Sequence, residues 1–181
     1  MIFEESRLRF EFDAQHWDMI QYDAHPDYKF ISGKLQGTKA VDFLGFYHHH
    51  LVMFEVKNFR GYGNQGSVGQ RVSNGMEELT TEIAQKVRDT VALITGLGRS
   101  EKNDFWKKVF RHIAENRSIT IIAWVEEDTK GILKKRKKNE MSVRQAFLAK
   151  KLHWLTVPGS IAIDNVKEQH FHFEGFSISP V

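Results

Sequence analysis

Residues 39–59 read KAVDFLGFYHHHLVMFEVKNF, and this stretch decides the fold. Two largely apolar runs, 39–46 and 51–59, flank the short link YHHH, which is the pattern of a β-hairpin. Five of the first six residues of the second run are apolar, so we expect both faces of that strand to be covered. Glu55 and Lys57 nevertheless lie in its second half, two residues apart and therefore on one face.

The register of this hairpin brings a second carboxylate opposite Glu55. If the link closes symmetrically, with a two-residue or a four-residue loop, then Asp42 faces Glu55. Directly opposed residues on antiparallel strands have Cβ atoms about 4.5–5.5 Å apart. Two carboxylates so placed repel each other, so one is expected to protonate unless a cation lies between them.

A divalent cation would remove this repulsion. Mg²⁺ prefers oxygen ligands and often uses one or two carboxylates together with water and substrate phosphate. Lys57 lies one pleat further along the same face, where its ammonium could reach a phosphate or an attacking water. Two carboxylates, a lysine and a metal are suited to phosphodiester hydrolysis, because the metal is a Lewis acid and the lysine stabilises developing charge. The alternative is that Glu55 and Lys57 form surface salt bridges, each worth at most about 1 kcal/mol.

The rest of the chain predicts a mixed α/β fold, in which a central mixed sheet is flanked by helices. A length of 181 residues suits a single domain spanning residues 1–181, and 41% hydrophobic residues suffice for a core. Before the hairpin we expect short strands over 8–12 and 17–22, a turn over 23–28 and no amphipathic helix. The later elements expected are helices from about 74 to 98, from 100 or 103 onward and from 142 to 153, and strands over 118–125, 160–164 and 171–178.

Asp42 followed by Glu55-Val56-Lys57, on successive strands before a helix and a covered strand, resembles the PD-(D/E)XK nuclease superfamily. That superfamily includes restriction endonucleases, Holliday junction resolvases and DNA-repair nucleases, and the hairpin is similar in particular to an uncharacterised bacterial group within it. The resemblance covers about residues 39–125 and implies a restriction-endonuclease-like core. It also implies that Asp42, Glu55 and the backbone carbonyl of Val56 bind Mg²⁺, or Mn²⁺ in its place, and that Lys57 assists the attacking water.

The chain departs from the family pattern at two points. Val41 stands before Asp42, where a proline is common. Members of the family also have a helix before the hairpin, often with a further glutamate, and no such helix is expected here. The candidates for that glutamate, by elimination only, are Glu4, Glu5 and Glu11, and none of them is assigned.

Positive charge is concentrated in one segment. Residues 129–153 hold nine lysines and arginines against one acid, whereas the rest of the chain holds 17 basic and 22 acidic residues. Such asymmetry is expected where a polyanion docks. We expect a basic loop here that contacts a nucleic-acid backbone, with DNA as the expected partner, although such a run is also typical of a solvated loop. The run consists of Lys134, Lys135, Arg136, Lys137 and Lys138.

Three further motifs have ordinary interpretations. The histidines at 48–50 are expected to form an exposed turn, since histidine is a poor ligand for Mg²⁺. The glycine-rich stretch 61–70 could fold over a substrate and bring Gln70 and Arg71 near phosphate, but it lacks the known phosphate-loop patterns. The acids at 126–128 are expected to solvate a strand end rather than bind a cation.

Composition narrows the function classes. The chain has no cysteine, which excludes disulfides, thiolate zinc sites and cysteine nucleophiles. It shows no signal-like or membrane-spanning apolar stretch, so we expect a soluble, cytoplasmic protein. The leading expectation is a Mg²⁺-dependent endo- or exonuclease, with a homodimer left open. The alternatives are a non-catalytic module of the same fold that binds nucleic acid or protein, and an interaction protein without either property.

Overall fold

The computed structural model describes residues 1–61, 76–99, 103–128, 134–156 and 160–181, with the backbone alone for 76 and 134–139. The elements in chain order are β1 (Ile2–Glu5), β2 (Leu8–Phe12), β3 (Trp17–Gln21), α1 (Pro26–Ser32), β4 (Phe43–Tyr47), β5 (His50–Asn58), α2 (Met76–Gly98), α3 (Asp104–Ala114), β6 (Ile119–Glu126), α4 (Lys134–Leu152), β7 (Ile161–Asp164) and β8 (Phe176–Pro180).

The strands form two sheets. The larger is a mixed five-stranded sheet in the order β3-β4-β5-β6-β7, and the smaller has the order β1-β2-β8. In the larger sheet β3, β4 and β5 form an antiparallel meander, and β6 and β7 then add as parallel strands through helical connections. The protein is therefore α/β with a five-stranded mixed sheet flanked by helices, which confirms the fold class predicted from the sequence at this level of detail.

Each face of the five-stranded sheet has its own hydrophobic core. Met53 of β5 and Ile121 of β6 pack with residues of α2, α3 and α4, among them Ile83. On the opposite face Phe54 and Trp124 pack against the small sheet, whose strand β2 contributes Phe10 and Phe12 to this core. The sequence did not indicate that a second sheet covers this face, because the alternation in residues 8–12 shows a half-buried strand but not its partner.

The register of the hairpin is the predicted one. Leu44 faces Met53, Phe46 faces Leu51 and Tyr47 faces His50, so the loop has two residues. His48 in this loop has a φ of 51°, the left-handed conformation expected at such a tight turn. The strand pairing ends at Phe43 and Phe54, and the amide of Asp42 then donates to the carbonyl of Phe54 at 3.0 Å, one residue out of that register. The predicted opposition of Asp42 and Glu55 is therefore not part of the strand pairing.

One predicted element and two predicted boundaries are wrong. A seven-residue helix, α1, lies where a turn was expected, and its first residue is a proline, which suits a helix start as well as a turn. The helix α4 begins at Lys134 rather than near 142, so residues 134–138 are not a loop; lysine and arginine are good helix formers. The last strand, β8, begins at Phe176 rather than 171.

Within the described ranges, no helix is both long enough and apolar enough to cross a membrane.

Candidate metal and catalytic site

Asp42 and Glu55 lie on the face of the sheet that α2 covers. Glu55 is two residues from Met53, which belongs to the core beneath the helices, so the alternation of β5 places Glu55 on that face. Asp42 precedes β4 and lies on the same side through its contact with Lys86 of α2. Both are buried, and Glu55 is only 1% exposed. The Oδ2 atom of Asp42 accepts a hydrogen bond from the amide of Val56 at 2.6 Å, which fixes this carboxylate against β5.

A lysine from α2 lies between the two carboxylates. The Nζ atom of Lys86 is 3.2 Å from Oδ1 of Asp42 and 2.7 Å from Oε1 of Glu55. Two opposed carboxylates require a cation, and in this structure the ammonium of Lys86 meets that requirement. The sequence analysis predicted the need for a cation but did not identify this lysine.

Lys57 and Glu82 complete the arrangement. The Nζ atom of Lys57 lies 3.1 Å from Oε1 of Glu55 and 2.8 Å from Oε1 of Glu82. Lys57 is therefore on the same face as Glu55, as the spacing along the strand indicated. These ion pairs include a fully buried carboxylate and so are not the surface salt bridges of the alternative interpretation. We refer to the five residues as the acid–lysine cluster: Asp42, Glu55, Lys57, Glu82 and Lys86.

Burial and neighbouring charges strongly shift the pKa of Glu55. Burial, followed by repulsion from Asp42, raises the pKa of Glu55 to about 8, although Lys86 and Lys57 oppose the shift. Its Oε2 atom is buried and has no hydrogen-bond partner among the described residues. A buried carboxyl group with an oxygen that lacks a hydrogen-bond partner is either protonated or held by a nearby cation.

The pKa values of the two lysines are also raised, but by attraction to carboxylates and against the effect of burial. Burial acts to lower the pKa of Lys86, but the carboxylates of Glu55 and Asp42 outweigh it and the pKa is raised. The pKa of Lys57 is raised in the same way, with attraction to Glu55 and Glu82 overcoming burial. Both ammonium groups therefore stay charged.

Contacts between α2 and the segment before β4 hold the cluster in place. The amide of Val41 donates to Oγ1 of Thr90, and the amide of Lys39 donates to Oδ2 of Asp89, both at 3.1 Å. Glu82 and Lys86 are four residues apart and so lie on one side of α2. The signal available in the sequence was this polar row beside the apolar stripe of the helix, but the hairpin residues that it meets lie 25 to 44 residues away along the chain.

Asp23 is a second residue that sequence reasoning missed. The amide of Tyr22 donates to the carbonyl of Asp42 at 2.8 Å, which brings the end of β3 beside the cluster. Burial, and then the charges of Asp42 and Glu5, raise the pKa of Asp23 to about 6. Its Oδ1 atom is buried without a hydrogen-bond partner among the residues that the structure describes.

Of the three amino-terminal glutamates, Glu5 is the one whose negative charge helps to raise the pKa of Asp23. Glu4 pairs with Arg9 at 2.9 Å on the exposed side of the small sheet. Glu11 is likewise exposed on its strand. Among these three, Glu5 is therefore the one that could support the cluster.

The remaining sequence motifs are the three histidines, the acids at 126–128, the glycine-rich stretch and the basic run. His48, His49 and His50 are exposed, in agreement with the turn interpretation. Glu126 is not a solvating strand end but a buried residue: it pairs with Arg60 and accepts hydrogen bonds from Trp124 Nε1 at 3.0 Å and from a backbone amide. Gln70, Arg71 and most of the glycine-rich stretch, with the side chains of residues 134–138, lie outside the described part of the chain.

The cluster suits a hard cation. Oxygens of Asp42 and Glu55 converge on one position, and two carboxylates with water and phosphate are a typical Mg²⁺ environment. No group of three or more histidine, cysteine, aspartate or glutamate residues arranged for a metal occurs within the described ranges, so the protein would supply few ligands. The amide of Val56 faces Asp42, and its carbonyl as a further ligand stays a prediction.

Comparisons of the chain with protein-family models, curated proteins and solved structures found no match. Function must therefore be inferred from the residues and geometry of the site.

Proposed function

We propose that the protein is a Mg²⁺-dependent nuclease with a restriction-endonuclease-like core, and that it hydrolyses phosphodiester bonds of DNA. One observation carries the proposal: Oδ1 of Asp42 and Oε1 of Glu55 converge on a single cation position, with the ammonium of Lys57 beside it. The order of elements supports the same proposal. The antiparallel hairpin is followed by α2 and then by β6, which pairs parallel to β5.

Each residue of the cluster has a distinct task in this proposal. Asp42 and Glu55 would hold the ion, which when bound supplies a Lewis acid that activates water and neutralises phosphate charge. Lys57 stabilises the negative charge that develops on the phosphate. Glu82 is a positioning residue, since its 2.8 Å contact directs the Lys57 ammonium.

Lys86 must leave its position before the carboxylates can hold a metal. The ammonium and a metal ion would occupy the same region between the two acids, and two cations there repel each other. The flexible side chain of lysine allows such a movement. We therefore treat Lys86 as the resident cation of the metal-free protein.

Cleavage assays on the full chain test the proposal. The wild type should cleave DNA with Mg²⁺ or Mn²⁺ and be inactive in EDTA. The variants Lys57→Met and Glu55→Gln should each lower the rate by about a hundredfold or more, because each removes a charge needed in the transition state or for the metal. Lys29→Met, at an exposed site on α1, is the matched control and should cleave normally. A folded Lys57→Met variant with wild-type cleavage would contradict the proposal.

A non-catalytic module is the second candidate. The observation in its favour is that Lys86 and Lys57 already pair with the buried acids, so the cluster also forms an internal ion-pair network without a metal. Such a module would bind nucleic acid with a steep dependence on salt. It would show no cleavage and no change in thermal stability on addition of Mg²⁺.

A further inference from the structure

A basic pocket lies between the tip of the β4–β5 hairpin and α3. Phe46 and His49 contribute from the hairpin, and Lys107, Lys108 and Arg111 contribute from the helix. Phe46 lies near the far end of β4 from Asp42, which precedes the strand; four residues of extended chain correspond to about 13 Å. The pocket shares no lining residue with the acid–lysine cluster.

The wall of this pocket is strongly cationic. It contains four lysine and arginine side chains against a single acid, Asp104. The cations are Lys107, Lys108, Arg111 and Arg117. A concave site with an excess of one charge concentrates ligands of the opposite charge.

Arg111 is the best placed of these cations for a ligand. It is exposed, and its guanidinium has no ion-pair partner among the described residues. A guanidinium presents several N–H donors in one plane, a geometry that matches the oxygens of a phosphate.

The other three cations are available as well, because their partners are weak. Pairs between exposed lysine or arginine and exposed carboxylates contribute at most about 1 kcal/mol, so an incoming anion can replace the carboxylate. These pairs are Lys107–Asp104 at 3.2 Å, Lys108–Asp18 at 3.2 Å and Arg117–Glu115 at 2.5 Å.

The floor of the pocket is rigid. His112 is buried, its Nε2 atom donates to the carbonyl of Ser118 at 2.8 Å, and its ring packs edge-on against Phe46. The Nζ atom of Lys108 lies 4.0 Å from the centre of the Phe46 ring, which holds the ammonium at the pocket. The ammonium of Lys108 is therefore positioned before a ligand arrives, which lowers the cost of binding.

We propose that this basic pocket binds a phosphate group, carried either by a nucleic-acid strand or by a small phosphorylated molecule. The excess of cations, the unpaired guanidinium and the aromatic floor together favour a phosphate over an uncharged or cationic ligand. The site is separate from the proposed nuclease site and does not depend on it.

Binding measurements in EDTA test this proposal independently of any nuclease activity. The ligands are inorganic phosphate, a nucleoside monophosphate and a single-stranded oligonucleotide, each titrated against chloride of the same ionic strength. The double variant Lys107→Gln/Arg111→Gln should weaken phosphate binding roughly tenfold or more, since two charge-assisted contacts are lost. Lys29→Gln on α1 serves as the control and should bind as the wild type does.

The three ligands identify the source of the phosphate. Weaker binding of the oligonucleotide by the double variant would assign the pocket to a nucleic-acid strand. Loss confined to phosphate and the mononucleotide would assign it to a small phosphorylated molecule. Equal binding of all three ligands by the folded double variant and the wild type would overturn the proposal.

Discussion

The Nζ atom of Lys86 lies 2.7 Å from Oε1 of Glu55, although Glu55 is almost completely buried. An ammonium from one helix thus enters the interior and balances a carboxylate from the central strand. Removing one partner of such a pair leaves an uncompensated charge in the interior, whereas a competing cation could take the place of the lysine.

We expect Lys86→Met to destabilise the metal-free protein by about 3 kcal/mol or more at a pH where Glu55 is ionised. Methionine has a similar length but leaves Asp42 and Glu55 without the cation between them. Urea unfolding in EDTA measures the loss. Added Mg²⁺ should stabilise the variant more than the wild type, because no ammonium competes for the site. Equal stabilisation of both proteins by Mg²⁺ would contradict the role given to Lys86.

The unfolding free energy of the metal-free protein should fall as the pH rises from about 4.5 to about 8 through the contribution of Glu55. Its pKa is about 8 in the folded protein and 4.5 ordinarily, so in this window the folded state holds a proton that the unfolded chain has released. Stability falls with pH wherever the folded state binds more protons.

Glu55→Gln isolates this contribution. Glutamine has nearly the same shape and no proton to lose, while Lys86 keeps Asp42 as a partner and Lys57 keeps Glu82. The pH dependence of the variant should therefore be flatter, and its stability relative to the wild type should improve toward about pH 9. Urea titrations across the window in EDTA provide the comparison. An unchanged slope would show that Glu55 has an ordinary pKa.

At Gly45 the backbone of β3 packs so closely on β4 that no side chain can be accommodated. A Cβ atom at Gly45 would lie 2.1 Å from the carbonyl oxygen of Asp18 and 2.7 Å from Cα of Met19. Because backbone cannot yield cheaply, Gly45→Ala should cost about 2 kcal/mol or more of unfolding free energy.

Gly96→Ala is the matched control for this substitution. Nothing lies within 4 Å of a Cβ atom at Gly96, which is in the last turn of α2. Alanine there should be neutral or stabilising by about 0.5–1 kcal/mol, as in other helices. Similar losses for both variants in thermal unfolding would mean that β3 and β4 are not packed as described.

The hairpin could be predicted from the sequence because its determinants are local. Two largely apolar runs and a short link that closes symmetrically predicted the pairing, and the observed partners of Met53 and Leu51 are those expected. That register also predicted Asp42 opposite Glu55; the strand pairing ends one residue earlier, but the two carboxylates do meet at the ammonium of Lys86. The function inferred from this geometry stays a prediction.

The rest of the site depends on packing over long sequence distances. Lys86 reaches Asp42 only because α2 docks on the sheet, 44 residues away along the chain. Asp23 joins the group through the end of β3, which no local pattern connects with the hairpin. At Lys134 the charge run suggested a loop, but charge alone does not separate a solvated loop from a solvated helix.

The most direct test of a shared metal between Asp42 and Glu55 is a crystal structure of the full chain grown with Mn²⁺, which can be located by its anomalous scattering. The account predicts a single peak bound by both carboxylates, with the ammonium of Lys86 displaced from between them. A map at saturating Mn²⁺ with no peak there, and with Lys86 still in contact with both acids, would contradict it.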